Sequence, residues 1–297
     1  MDVGEKIRLK RLECGFSQKE LANNVCTQAT ISNIEQGKVA LSFFVAEKIA
    51  QKLKMSISEL YSANTENHYV DIFDDIVRKI ECGSHKEAYY LLNEKITEDN
   101  IESLEIKKKF YYYKGITEVI GFNNYGSADK NFEKVLSIAT EKDLEYVLAI
   151  AGKAVNFTLQ NKISKASEFF ELALNLLDNS TELELKNIKE VARVMYNSAK
   201  FFSDQGNHFK AINLCSRGID LLKQIDSRYY LAYLHYELAF DLYEIGHYED
   251  STKNYLSAYF YSSFDNLDFI VELVKSKFRE KEHLQLDVFV KKLIDIY

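Results

Sequence analysis

The chain has 297 residues, 46% hydrophobic and 28% charged, with a net charge of −7, ordinary values for a globular protein of about two domains. No apolar run approaches the roughly 18 residues that cross a bilayer, and "MDVGEKIRLKR" has no apolar stretch behind its charges, so neither a membrane span nor a signal peptide is expected. There is no proline and there are only 11 glycines; proline breaks helix interiors and glycine weakens helices and strands alike, so an all-α chain with short turns is expected.

The four cysteines, Cys14, Cys26, Cys82 and Cys215, are scattered and read as buried free thiols in a reducing cytoplasm. Residues 1–60 hold 9 Lys+Arg against 7 Asp+Glu, so the excess of acid lies in the remainder. A basic head on an acidic body suggests an anionic partner for the head alone.

The first helix is expected over Val3–Cys14. Ser17-Gln-Lys-Glu20 is a capping box that opens a second, with Leu21, Ala22 and Val25 on one face. After a tight joint at Val25-Cys26, Thr27 caps a third helix, Gln28–Gln36, with Ile31 and Ile34 inward and Gly37 suited to its left-handed end. Ser42–Leu53 is the fourth, with Val45, Ala46, Ile49 and Leu53 inward. Ser56-Ile-Ser-Glu59 opens a short fifth. Five short helices with a tight joint between the second and third make a helix-turn-helix domain over residues 1–63.

The outward surface of the third helix carries Gln28, Ala29, Ser32, Asn33 and Gln36. Gln and Asn can pair with adenine edges and an alanine methyl can meet a thymine methyl, so Gln28, Ala29, Ser32 and Asn33 are the candidate base readers. Lys10, Lys19, Gln36 and Lys38 lie where phosphates can be met. The other reading is a five-helix protein-interaction module.

Ser17, Gln18, Glu20, Leu21, Ala22, Gln28, Ile31, Ser32, Ile34, Glu35, Gly37 and Lys38 together resemble the phage-repressor (Cro/cI, or XRE) type of helix-turn-helix. That resemblance implies base contacts for Gln28, Ala29 and Asn33, a phosphate contact for Gln18, and an internal Arg11–Glu35 salt bridge that belongs to the scaffold. Where the family often has glycine near the turn, this chain has Cys26.

From about Tyr69 the chain repeats. "NSAKFFSDQGNHFKAINLCSRGIDLL" aligns with "ELAFDLYEIGHYEDSTKNYLSAYFYS", Gly206 on Gly246 and Ala199 on Ala239, and weaker copies precede them. Small residues at Ala88, Ala128, Ala166, Ala211 and Ser251 recur at steps of 40, 38, 45 and 40. Helical hairpins stacked in this way coil into a superhelix with a concave inner surface. The pattern resembles tetratricopeptide repeats, implying a right-handed solenoid. Residues 64–82 are expected to form a linker helix and the start of the repeats, 83–265 five degenerate repeats, and 266–297 capping helices.

Inward positions on successive first helices carry Tyr113, Lys114, Tyr196, Asn197, Tyr236 and Glu237. Asn can pair with both the N–H and the C=O of a peptide backbone, Tyr offers apolar contact with a polar tip, Lys can meet a C-terminal carboxylate and Glu an N-terminal amine. The same residue types also serve as ordinary packing in such repeats. No phosphate loop, zinc-protease motif or cysteine pair is present, and the histidines are dispersed, so no enzyme activity, metal or cofactor is expected. Asp74-Asp75 and Lys107-Lys108-Lys109 read as solvated faces.

Head and repeats in combination resemble the PlcR/PrgX/Rgg class of peptide-responsive regulators (the RRNPP group). "YNSAK" with Asn197 and "AVNF" with Asn156 are most like the peptide-contacting repeats of its PlcR-type members. The resemblance implies a cytoplasmic quorum-sensing homodimer on a palindromic double-stranded operator. A short signalling peptide in the groove, Asn156 among its contacts, switches it through a connecting helix at Asn64–Ile80. Two alternatives stand beside it: a constitutive phage-type repressor whose repeats only dimerise it, and a repeat module that docks another protein.

Overall fold

The computed structural model describes residues 3–39, 41–57, 60 and 63–280, and among them every regular element is helical. The expected fifth helix after Ser56 and the final segment from Leu284 fall on residues outside this set. Within α5, Ala63–Glu81, the chain divides between Asp75 and Ile76 into two compact units.

The first unit contains α1 (Val3–Glu13), α2 (Gln18–Ala22), α3 (Gln28–Glu35) and α4 (Phe43–Lys52). Their apolar stripes meet in one core of Ile7, Leu21, Ile31, Ile34, Ala46, Ile49, Leu53 and Leu60, with Val25 and Val45 at its edge. Ser17 Oγ accepts from the Glu20 amide at 3.2 Å while the Glu20 carboxylate accepts from the Ser17 amide at 2.7 Å, closing the capping box. Thr27 Oγ1 accepts from the Thr30 amide at 3.1 Å and starts α3. The joint between α2 and α3 is made by Asn24, which takes the left-handed conformation at φ 59°; Asn tolerates it through its short polar side chain. That answers the missing glycine without calling on Cys26. Gly4 lets α1 press on the end of α3, since a Cβ there would lie 2.1 Å from the Ile34 carbonyl oxygen.

In the second unit, α6 (His85–Lys95) and a 3-10 turn (Glu98–Asn100) precede four hairpins. They are α7 (Leu104–Phe122) with α8 (Tyr125–Ile138), α9 (Leu144–Leu159) with α10 (Ile163–Asp178), α12 (Ile188–Asp204) with α13 (His208–Gln224), and α14 (Leu231–Glu244) with α15 (Tyr248–Phe264). A short α11 (Thr181–Lys186) sits between the second and third hairpins, and α16 (Asp268–Glu280) follows the last. First helices pack on first helices, α7 on α9, α9 on α12, α12 on α14 and α14 on α16, which is the continuous layer of a solenoid. The small anchors Ala88, Ala128, Ala166, Ala211 and Ser251 are all 0% exposed, because each stands where a second helix meets its partner. The long step of 45 residues is accounted for by α11.

Two expectations are corrected. Only Cys215 is buried; Cys14 and Cys82 stand exposed in the turns that end α1 and α5, and Cys26 is half-buried. Lys108 is not on a solvated face: it is buried and bridges Glu105 at 2.7 Å and Asp143 at 3.2 Å. No helix among the described residues is long and apolar enough to cross a membrane.

Candidate functional site

The head presents α3. Gln28, Ala29 and Gln36 are exposed, and Ser32 and Asn33 are half-buried at the edge of the same surface. None of the four candidate base readers is charged, so this face can discriminate by hydrogen-bond pattern and methyl contact rather than by charge alone. Behind it the scaffold is tightly satisfied. Arg11 grips Glu35 through two bonds, Nε to Oε1 at 2.6 Å and Nη2 to Oε2 at 3.0 Å, and its Nη1 donates to the Phe16 carbonyl at 2.8 Å. Burial by itself would push the Glu35 carboxyl up, but the hydrogen bonds from Arg11 and Gln18, with the charges of Arg11 and Arg8, hold it below the usual carboxylate value.

Of the candidate phosphate contacts, Lys19, Gln36 and Lys38 are exposed. Lys10 pairs with Glu13 at 2.8 Å on the surface. Gln18 is half-buried with its amide donating to Glu35 Oε2 at 2.9 Å, which aims the side chain and leaves a second amide hydrogen. Gln36 donates to Ser32 Oγ at 3.3 Å. One scaffold residue had no sequence signal: Lys52 reaches back from α4 to the carbonyls of Glu20 at 2.7 Å and Asn23 at 2.6 Å. It thereby caps the end of α2, the helix that supports the joint.

Two cavities of the hairpin unit bear on the expected peptide contacts. One, of about 390 Å³, is lined by Glu81, Lys189, Arg228, Tyr229, Tyr230 and Tyr233 among others. The other, of about 340 Å³, is lined by Lys109, Tyr112, Tyr113, Leu148, Asn187 and Glu190 among others. Of the residues expected to meet a peptide, Tyr113 lines the smaller cavity; Lys114, Asn156, Tyr196, Asn197, Tyr236 and Glu237 line neither. Tyr196 and Asn197 are half-buried, and the Tyr196 ring lies 5.5 Å from those of both Tyr230 and Tyr233 in the wall of the larger one. Lys114 is half-buried with its ammonium 5.2 Å over the Phe110 ring, and Tyr236 packs 5.5 Å from Tyr255.

Asn156 and Glu237 lie inside the helix layer. Asn156 is 0% exposed; its amide donates to the Tyr125 carbonyl at 3.1 Å and joins α9 to α8, while its Oδ1 is enclosed without a hydrogen-bond partner. Glu237 is 5% exposed, enclosed with Asp241 one turn further along α14. Burial, reinforced by Asp241 and Asp204, pushes its carboxyl up to about 7 against the opposing pull of Lys200.

The residues that wall the cavities, Tyr112, Tyr229, Tyr230 and Tyr233, were passed over in the sequence. One signal was present: "SRYY", Ser227–Tyr230, puts two aromatics in a turn, and turns are usually polar. Tyr233 Oη also donates to the Glu81 carbonyl, tying the end of α5 to the cavity wall.

Residues 7–60 match the helix-turn-helix family model HTH_3. No curated protein matches the chain by sequence. Among solved structures, the chain is similar to Bacillus thuringiensis PlcR in complex with the peptide PapR7 and DNA, at 19% identity and a TM-score of 0.64, over 92% of this chain and 98% of that one. It is similar to PlcR in its apo form at 18% identity and a TM-score of 0.62, over 93% and 98%. It is also similar to the apo competence regulator ComR of Streptococcus vestibularis at 13% identity and a TM-score of 0.53, over 93% and 97%. The chain thus has the PlcR fold, a helix-turn-helix head followed by a body of helical hairpins.

Proposed function

We propose that this protein is a peptide-responsive transcription regulator. Two copies bind a palindromic operator through their heads, residues 1–63, and a short signalling peptide held by the hairpins, residues 83–265, sets whether they engage. The observation that carries this reading is the uncharged, outward face of Gln28, Ala29, Ser32 and Asn33 on α3, backed by an internally satisfied Arg11–Glu35–Gln18 scaffold. Such a face suits the edges of bases. The PlcR structure that the chain resembles holds both a peptide and DNA, which supports assigning one partner to each unit here.

In this reading Lys10, Gln18, Lys19, Gln36 and Lys38 meet phosphates, and the protein works in the cytoplasm. The route from ligand to DNA runs through α5: its last residue, Glu81, lines the larger cavity, and its first residues follow the head in the chain. The peptide acts only in so far as it binds one arrangement of the dimer better than another.

The test is binding to a selected operator and to scrambled duplex. Changing both Gln28 and Asn33 to Ala is expected to weaken operator binding by about 1–3 kcal/mol per lost base contact and scrambled-duplex binding much less. Equal losses on both duplexes overturn the base-reading assignment.

A further inference from the structure

Arg193 lies inside the hairpin unit, 4% exposed, and its Nη2 nitrogen is enclosed without a hydrogen-bond partner. Arginine does not shed its proton in proteins, and an enclosed cation without an acceptor is unfavourable. Packing does not call for the charge. Counted back from the left-handed residue that ends each first helix, Asn123, Asn161, Gly206 or Gly246, Arg193 is level with Phe110, Leu148 and Tyr233. The other three hairpins therefore fill this position with an apolar or aromatic side chain.

The surroundings of Arg193 are those of a socket. Tyr112, Tyr229, Tyr113 and Tyr230 surround its charge, the Glu81 carboxylate also feels it, and the guanidinium lies 5.7 Å from the centre of the Tyr112 ring. These rings also wall the two cavities, Tyr112 and Tyr113 the smaller, Tyr229 and Tyr230 the larger. Arg193 itself lines neither cavity but is bordered by rings that wall both. Tyr230 is held at φ 56°, a strained conformation for a bulky residue that persists only where its surroundings impose it. The aromatic faces offset part of the charge and the Tyr113 hydroxyl bonds the guanidinium, but Nη2 is left without an acceptor. Lys189, one turn earlier on α12, lines the larger cavity and extends the basic stripe.

We propose that Arg193 is the anchor for a carboxylate of the bound peptide, received by its planar fork between the tyrosines. This rests on the peptide reading above and names the chemistry that reading leaves open. Two sources share the chemistry, a free C-terminus and an Asp or Glu side chain.

The experiment is affinity selection on the full-length protein, read by mass spectrometry. Its probes are three positional-scanning sets of short synthetic peptides: free acids, C-terminal amides, and C-terminal amides lacking Asp and Glu. The third set is expected to be retained at least tenfold less than the first; retention of the second set assigns the carboxylate to a side chain, and its loss assigns it to the C-terminus. Arg193→Met is expected to lose the preference for carboxylates while its apo form melts at the wild-type temperature or above, because an unsatisfied cation has been removed. Arg193→Lys is expected to keep a weakened preference. Equal retention of all three sets by the wild-type chain overturns the anchor and leaves the peptide reading standing, and it needs no variant to fold. Retention of no peptide from any set overturns both.

Discussion

Among single residues, Glu237 makes the sharpest statement about pH. Its carboxyl keeps its proton up to about 7 in the folded chain, whereas an unfolded chain releases it near the ordinary value of 4.5. The folded state therefore binds more protons across that interval, so stability falls as pH rises through it and stays level above 7. The loss amounts to roughly 3 kcal/mol, at 1.36 kcal/mol per pKa unit. Glu237→Gln is expected to raise the melting temperature at pH 8 and to leave it unchanged at pH 5. A gain of the same size at both values contradicts the account. The sequence showed a glutamate at an inward position of a first helix. It did not show that α14 brings Asp241 beside it or that both are closed off from water. Arg11 and Glu35 are the opposite case: their pairing was legible because the residues around them are dense in matches to a known helix-turn-helix pattern.

Helices and hairpins were legible to different depths. Gly206 and Gly246 marked two hairpin turns at once. The earlier turns looked weaker because Asn123 and Asn161 stand in place of glycine, yet all four take the left-handed conformation. Each is closed by a bond from the next amide to a carbonyl in the last turns of the helix, five residues back for Lys162, Asn207 and His247 and six for Asn124, at 2.8–3.0 Å. Asparagine and glycine are equivalent here for one physical reason, tolerance of positive φ. The close packing of first on second helices was not legible. Gly115 on α7 and Gly152 on α9 both face the Phe132 ring of α8, where a Cβ would lie 2.7 Å and 2.6 Å from it. The two glycines form the slot that lets this ring be wholly buried. Gly152→Ala is expected to cost about 1–3 kcal/mol in thermal or urea unfolding, the usual range for overpacking. Adding Phe132→Leu is expected to restore part of the loss; no loss in the single variant contradicts the slot.

For the molecule as a whole, the order of parts was legible from the sequence, a helix-turn-helix head and then stacked hairpins, because both are built from local patterns. The position of the cavities was not. Which tyrosines enclose a space depends on how far each hairpin is rotated on the last, and α11 adds an offset that a fixed period does not anticipate. Hence the expected contacts at Asn156 and Glu237 fell inside the helix layer, while Tyr112, Tyr229 and Tyr230 went unnoticed. One of the cavities is walled by Glu81, the last residue of α5.

The most direct measurement is selection of duplexes from a randomised library by the full-length protein, with and without the peptide recovered by affinity selection. The account predicts that the peptide changes the yield of an inverted repeat whose half-sites lie about 34–36 Å apart, one turn of the double helix, or a multiple of it. Recovery of the same sequences in the same yield under both conditions contradicts it.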